Sequence, residues 1–230
     1  MGRSWDLDKV AKFADALGPL NALLAGAAAL AAFAALDAQK SENAALAKRA
    51  EADQQSTSRR DFENTFFRLV DLLRRTVEGT IITRPGSSKR YEGGEAFQAI
   101  LKELGPSLKS DAEDKKRWLK IYNHYQAQLG HYFRLLYQVV KFVHNSDVNN
   151  KMDYIRALRA TLSNAEIVLF GLNGWHGGYP KTKRFINDYA LLHNITRGEG
   201  LSRRLNVAYN LSAFGGRDLA LERGAVTRTE

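Results

Sequence analysis

ALGPLNALLAGAAALAAFAAL, Ala16 to Leu36, is 21 residues without a charge, closed by Asp15 on one side and Asp37 on the other. At about 1.5 Å rise per residue a helix of this length spans about 30 Å, the thickness of a bilayer's hydrocarbon core. Ten of these residues are Ala, six are Leu, and Phe33 is the only aromatic. The stretch is therefore apolar by exclusion of charge more than by bulk. Each Leu or Phe favours insertion by only about 0.3–0.6 kcal/mol. Two readings fit such a helix: a membrane span, and an Ala-rich helix buried in a soluble bundle. The span is the expectation. A secretory signal fits poorly, because Arg3, Lys9 and Lys12 are balanced by Asp6, Asp8 and Asp15, and no small-residue cleavage site follows a short apolar core.

Within the stretch Gly18, Ala22 and Gly26 recur every fourth residue, placing three small side chains on one stripe where a second helix can approach closely. That stripe is the candidate for self-association, set against the plainer reading that an Ala-rich helix contains such spacings by composition. Lys40, Lys48, Arg49, Arg59 and Arg60 follow the span where three Lys/Arg precede it, which places the C-terminal side in the cytoplasm. Residues 1–15 form an N-terminal segment and 16–36 the span. Residues 37–60, rich in Ala, Gln and charge with no Pro or Gly, continue it as a polar helical stalk without a sustained heptad.

From Asp61 the pattern changes. Phe62, Phe66, Leu69, Val70, Leu73, Val77 and Ile81 are spaced for one broad helical stripe, the first core helix. Turn-forming residues fill Arg84 to Gly94, and a short helix carrying Phe97, Ile100, Leu101 and Leu104 ends at Gly105-Pro106. Ser110 with Glu113 has the spacing of a capping box. It opens a long helix predicted over Asp111 to His144, with Gly130 as a kink. Further helices are predicted over Lys151 to Leu172 and Lys181 to His193, with a Gly-rich turn from Asn173 to Pro180 between them. No alternating pattern indicates strands, so the fold class is all-α: a hydrophobic helix and polar stalk leading to an irregular helical bundle over 61–195. Residues 196–230 read as a loosely docked basic tail, since 181–230 hold nine Lys/Arg against five Asp/Glu.

The chain carries a net charge of +9, which favours anionic partners such as lipid headgroups or nucleic acid. It has no cysteine, which excludes disulfides and thiolate metal sites. Its five His are scattered, and no metal or cofactor is expected. No phosphate loop, dinucleotide fingerprint, HExxH or GxSxG motif is present. The chemistry-bearing candidates are polar residues set in apolar helices. His131, Arg134 and Gln138 share a helical face, with Tyr137 and Lys141 on a neighbouring edge. A His acting as acid or base beside an Arg that stabilises developing charge is the equipment of phosphodiester cleavage. The alternative is an amphipathic helix whose polar back contains them. Arg156, Arg159, Ser163, Asn164 and Glu166 form a second polar set on a Leu-rich helix, read as a structural Arg–Glu network or as a ligand site. His144 and Asp147 suit the end of the long helix, where a cation complements the dipole and Asp suits a turn.

Four ordered blocks, FENTFFRLVDLL (62–73), LGHYFRLLYQVVKFVHNSD (129–147), YIRALRATLSNAEIVLFGLNG (154–174) and KTKRFINDYALLHNI (181–195), resemble the Putative phage abortive infection protein family of bacteria. The hydrophobic segment followed by a polar helix is similar to that family's layout, although the family often has two hydrophobic helices where this chain has room for one. The resemblance implies anti-phage defence by a cytoplasmic helical domain tethered to the inner membrane in a single pass. It supplies no catalytic residues. Abortive infection ribonucleases of other families pair an Arg with a His four to six residues away, and no His stands at that distance after Arg134. The expectation is thus a membrane-anchored, homo-oligomeric defence protein that engages lipid and a phage or host protein. A metal-independent ribonuclease centred on His131 and Arg134, and a soluble helical interaction module, are the alternatives.

Overall fold

A computed structural model describes residues 7–105, 110–195 and 201–215. Arg3, Pro106 and the basic end of the chain from 216 onward lie outside the described residues. The chain divides into two units, Met1–Arg60 and Asp61–Glu230.

Helix α1, Leu7–Glu78, runs through 72 residues. Ala, Leu, Lys, Glu and Gln are strong helix formers, and between Pro19 and Gly79 the only breaker is Gly26. Among the described residues α1 is the one helix long and apolar enough to cross a membrane. In the first unit Leu23, Leu30 and Phe33 stand more than 70% exposed. A Cβ added at Gly18 or Gly26 would meet nothing within 4 Å, so the small-residue stripe faces open space. The polar residues 37–60 are exposed throughout.

In the second unit the end of α1 buries Phe62, Phe66 and Leu73. The sequence predicts helix as far as Ile81. Instead α1 stops at Glu78, and strand β1, Ile81–Thr83, pairs antiparallel with β2, Arg90–Glu92, setting Ile82 opposite Tyr91. Three consecutive β-branched residues favour the extended chain, and Gly86 at φ 73° turns the hairpin. The fold class stands as expected, with this small hairpin added: eight α-helices are described.

Helix α2, Gly94–Leu104, buries Phe97, Ile100 and Leu104. Helix α3, Asp111–His124, begins where the Ser110 hydroxyl accepts from the Glu113 N–H at 3.3 Å. The long helix predicted here bends at Tyr125 rather than at Gly130, giving α4, Gln126–Asn145. Backbone bonds persist through the bend, with Tyr125 N–H on the Ile121 carbonyl and Leu129 N–H on the Tyr125 carbonyl. Tyr125 is buried, and its hydroxyl donates to Glu103 at 2.7 Å, which anchors the corner to α2. Phe62 of α1 stacks on Phe142 of α4 at 5.0 Å. Helix α5, Lys151–Thr161, carries Tyr154, whose ring meets Phe62 edge-on and whose hydroxyl donates to Glu63.

The helix predicted over Lys151 to Leu172 is two. A capping box at Ser163 and Glu166 starts α6, Asn164–His176, afresh. Helix α6 is the centre of the domain: Ala165 through Gly174 are all buried, and α2, α3, α7 and α8 lie against it. It runs past Asn173, where a turn is predicted. Helix α7, Pro180–Asp188, ends five residues before its predicted limit, and turns follow to Asn194 with Ala190 at φ 50°.

Residues 201–215, predicted as part of a loose tail, belong to the core. Helix α8, Leu201–Ala208, and a 3-10 turn, Leu211–Phe214, bury Leu205, Tyr209, Ala213 and Phe214. The Tyr209 hydroxyl donates to the Gly171 carbonyl at 2.7 Å, and the Leu192 N–H reaches the Ala213 carbonyl. Bare backbone on α6 makes this possible. A Cβ at Gly171 would lie 3.0 Å from Leu205, and one at Gly174 would lie 2.6 Å from the Tyr209 hydroxyl.

Candidate functional site

Gly130, Phe133, Arg134, Tyr137 and Gln138 fall at i, i+3, i+4, i+7 and i+8 of α4, which places them on one face of the helix. That face forms one wall of a cavity of about 460 Å³, to which α3 adds Tyr122. The opposite wall is Asn173 of α6, Tyr179, and the first turn of α7 at Pro180, Lys181 and Thr182. The volume lies within the roughly 300–1,000 Å³ of small-molecule sites.

Glycines set the shape of both walls. Gly130 leaves space where a Cβ would lie 3.4 Å from the Tyr122 hydroxyl and 3.6 Å from Arg134 Nη1. A Cβ on Gly177 would collide with the Asn173 carbonyl and lie 2.8 Å from the Tyr179 ring. Behind Tyr122 an aromatic ladder holds the ring in place: Trp118 stacks on it at 5.8 Å, and Phe133 lies nearly parallel at 6.4 Å. Tyr137 stacks on Phe185 of α7 at 5.4 Å, tying the two walls together.

The electrostatics are one-sided. Arg134 and Lys181 bring positive charge, and among the described residues no carboxylate lines the cavity. Burial and the hydrogen-bonded Tyr179 hydroxyl push the Tyr122 phenol up, while the Arg134 guanidinium pulls it down, so these three groups converge. The backbone N–H groups of Lys181 and Thr182 sit in the first turn of α7, where a helix has no internal acceptors for them. In that wall Asn173 is only 5% exposed, and its side-chain oxygen Oδ1 has no hydrogen-bond partner among the described residues. An unmet buried acceptor costs about 1–3 kcal/mol.

Of the residues singled out from sequence, Arg134, Tyr137 and Gln138 line this cavity. His131 is exposed and is not among the lining residues. Lys141 and Asp147 are exposed as well. His144 Nδ1 lies 2.7 Å from the Tyr189 hydroxyl, and its carbonyl accepts from Lys151. Arg156 pairs with Asp153 at the surface. Arg159 is buried and donates to the Ala190 carbonyl at 2.9 Å, holding the turn after α7. Asn164 opens α6. Glu166, buried beside it, accepts from the Ser163 N–H at 2.8 Å and from the Tyr132 hydroxyl at 2.9 Å.

Tyr122, Asn173, Tyr179, Lys181 and Thr182 were not singled out. They come from three separate elements, and only tertiary packing gathers them. The α4 contribution carried a signal, because five small, aromatic or polar residues repeat at helical spacing there.

No curated protein and no solved structure matches the chain. Of the eleven cavity residues, ten lie within residues 124–199, and only Tyr122 precedes that segment. Over residues 124–199, from the end of α3 through α7, the chain matches the family described as Putative phage abortive infection protein, the family that its sequence blocks resemble.

Proposed function

We propose that this is a membrane-anchored anti-phage defence protein, with Ala16 to Leu36 as a single inner-membrane span and a cytoplasmic helical domain that senses infection or acts on it. The family match over residues 124–199 carries the reading, because that segment holds nearly the whole cavity. The anchor has separate support. Leu17, Leu20, Leu23, Leu24, Leu30, Phe33 and Leu36 are 40–73% exposed on α1. Each such side chain gains about 1.5–3 kcal/mol on full removal from water, and a bilayer provides that for a helix of this length. Gly18, Ala22 and Gly26 offer a surface on which two spans can meet, giving a homo-oligomer.

Two measurements test the reading. The tagged full chain is expected in the carbonate-resistant membrane fraction, and cells carrying it should lower phage plating efficiency. A chain lacking residues 1–60 should lose that protection. Full-length protein in the soluble fraction, or full protection without residues 1–60, would overturn it.

A further inference from the structure

We propose that the cavity between α4 and α7 binds a nucleoside phosphate, its base held among the tyrosine rings and its phosphate by Arg134 and Lys181. The argument is one of chemical complementarity. A site that holds two cations and, among the described residues, no carboxylate selects an anion. The N–H groups of the first turn of α7 point the same way. Tyr122, Tyr137 and Tyr179 supply flat apolar faces on which a planar ring stacks.

The rings decide between anions. Tyr122, Tyr137 and Tyr179 line the cavity beside the two cations. Inorganic phosphate has no ring to lie on them, and a lipid phosphodiester carries acyl chains rather than a planar group. A nucleobase is planar, and its edge carries donors and acceptors that suit the Gln138 amide. The volume suits one nucleotide, either free or at the end of a strand.

The proposal stands apart from the defence reading, since binding is measured without phage or membrane. The full-length protein in detergent is titrated by calorimetry with AMP, GMP, CMP and UMP, and with adenosine and inorganic phosphate as controls. At least one nucleotide is expected to bind saturably, with adenosine and phosphate each at least about tenfold weaker. Arg134→Ala and Lys181→Ala alter exposed side chains, leave the fold intact by circular dichroism, and should each weaken the nucleotide about tenfold. Tyr179→Ala, at a ring that is 47% exposed, should weaken the nucleotide while leaving phosphate unchanged. A 5′-phosphorylated RNA oligomer that competes with the nucleotide identifies a strand end as the source; failure to compete identifies the free nucleotide. The proposal is overturned if no nucleotide binds the folded protein, if phosphate alone binds as tightly, or if Arg134→Ala and Lys181→Ala both leave affinity unchanged.

Discussion

Tyr132→Phe removes one oxygen from a buried polar contact of the domain. Tyr132 is fully buried, and its hydroxyl donates to Glu166 Oε1 at 2.9 Å. The other carboxylate oxygen is already held by the Ser163 N–H, so the variant leaves Oε1 without its donor inside the core. Leaving a buried acceptor unmet costs about 1–3 kcal/mol, and a value of about 2 is expected here. For a unit of this size that corresponds to a fall in Tm of about 4–8 °C. Tryptophan fluorescence is the suitable probe, because Trp118 and Trp175 lie in the domain whereas far-UV dichroism would be dominated by α1.

The pH dependence makes the test sharper. Burial first, and then the neighbouring Glu166, raise the Tyr132 phenol well above the usual 10.0. Below pH 10 the phenol is protonated in both folded and unfolded chains and the bond contributes fully. Above pH 10 the unfolded chain releases this proton while the folded chain keeps it. The wild type therefore loses about 1.4 kcal/mol per pH unit that the Phe variant does not lose. The stability gap should close within about 1.5 units above pH 10. Other buried tyrosines, such as Tyr209, titrate alike in both proteins and cancel. A Tm within 1 °C of wild type at neutral pH, or a gap that stays constant at alkaline pH, refutes the reasoning.

Gly174→Ala sets a methyl group 2.6 Å from the Tyr209 hydroxyl and 3.1 Å from Ile186. It should cost about 1–3 kcal/mol in urea unfolding, and an unchanged midpoint would show that the glycine is not required. Ser163→Ala removes the acceptor at the start of α6 and should cost about 0.5–2 kcal/mol, with Ser163→Asn recovering most of it; equal losses in the two variants would count against the cap. Ending the chain at Ile195 removes Leu205, Tyr209 and Phe214 from the core. The truncated chain is expected to aggregate and to be cleaved rapidly by protease, and a truncated form with wild-type Tm would contradict this.

Local pattern accounts for most of what could be read from the chain. The stripe from Phe62 to Val77 packs as its spacing implies, because a single helix face needs no knowledge of its partner. Breaks between helices were harder to read. Tyr125 is no turn former, and the corner there exists because Glu103 of α2 accepts its hydroxyl. Ser163 and Glu166 did carry a start signal, but among Leu-rich neighbours they resembled a polar patch within one helix. Three-residue strands are too short to show alternation, so the hairpin left no trace. Leu205, Tyr209 and Phe214 looked isolated because their contacts lie on α6, more than thirty residues away, and on glycines that show no apolar period. In the cavity, Arg134 and Gln138 were visible on one helix, whereas Asn173 was hidden by lying in an apparent Gly-rich turn.

The sheathing of α6 also sets a timetable for synthesis. Its upstream cover, α2 and α3, leaves the ribosome first. Another 38 residues separate His176 from Phe214, the last buried residue of the covering segment. At about 5–20 residues per second, α6 waits roughly 2–8 s with its glycine face uncovered. A nascent chain that stalls in this interval presents its most apolar helix to its neighbours. Residues 201–215 therefore govern how safely each copy of the protein is made, before any question of how stable it is once finished.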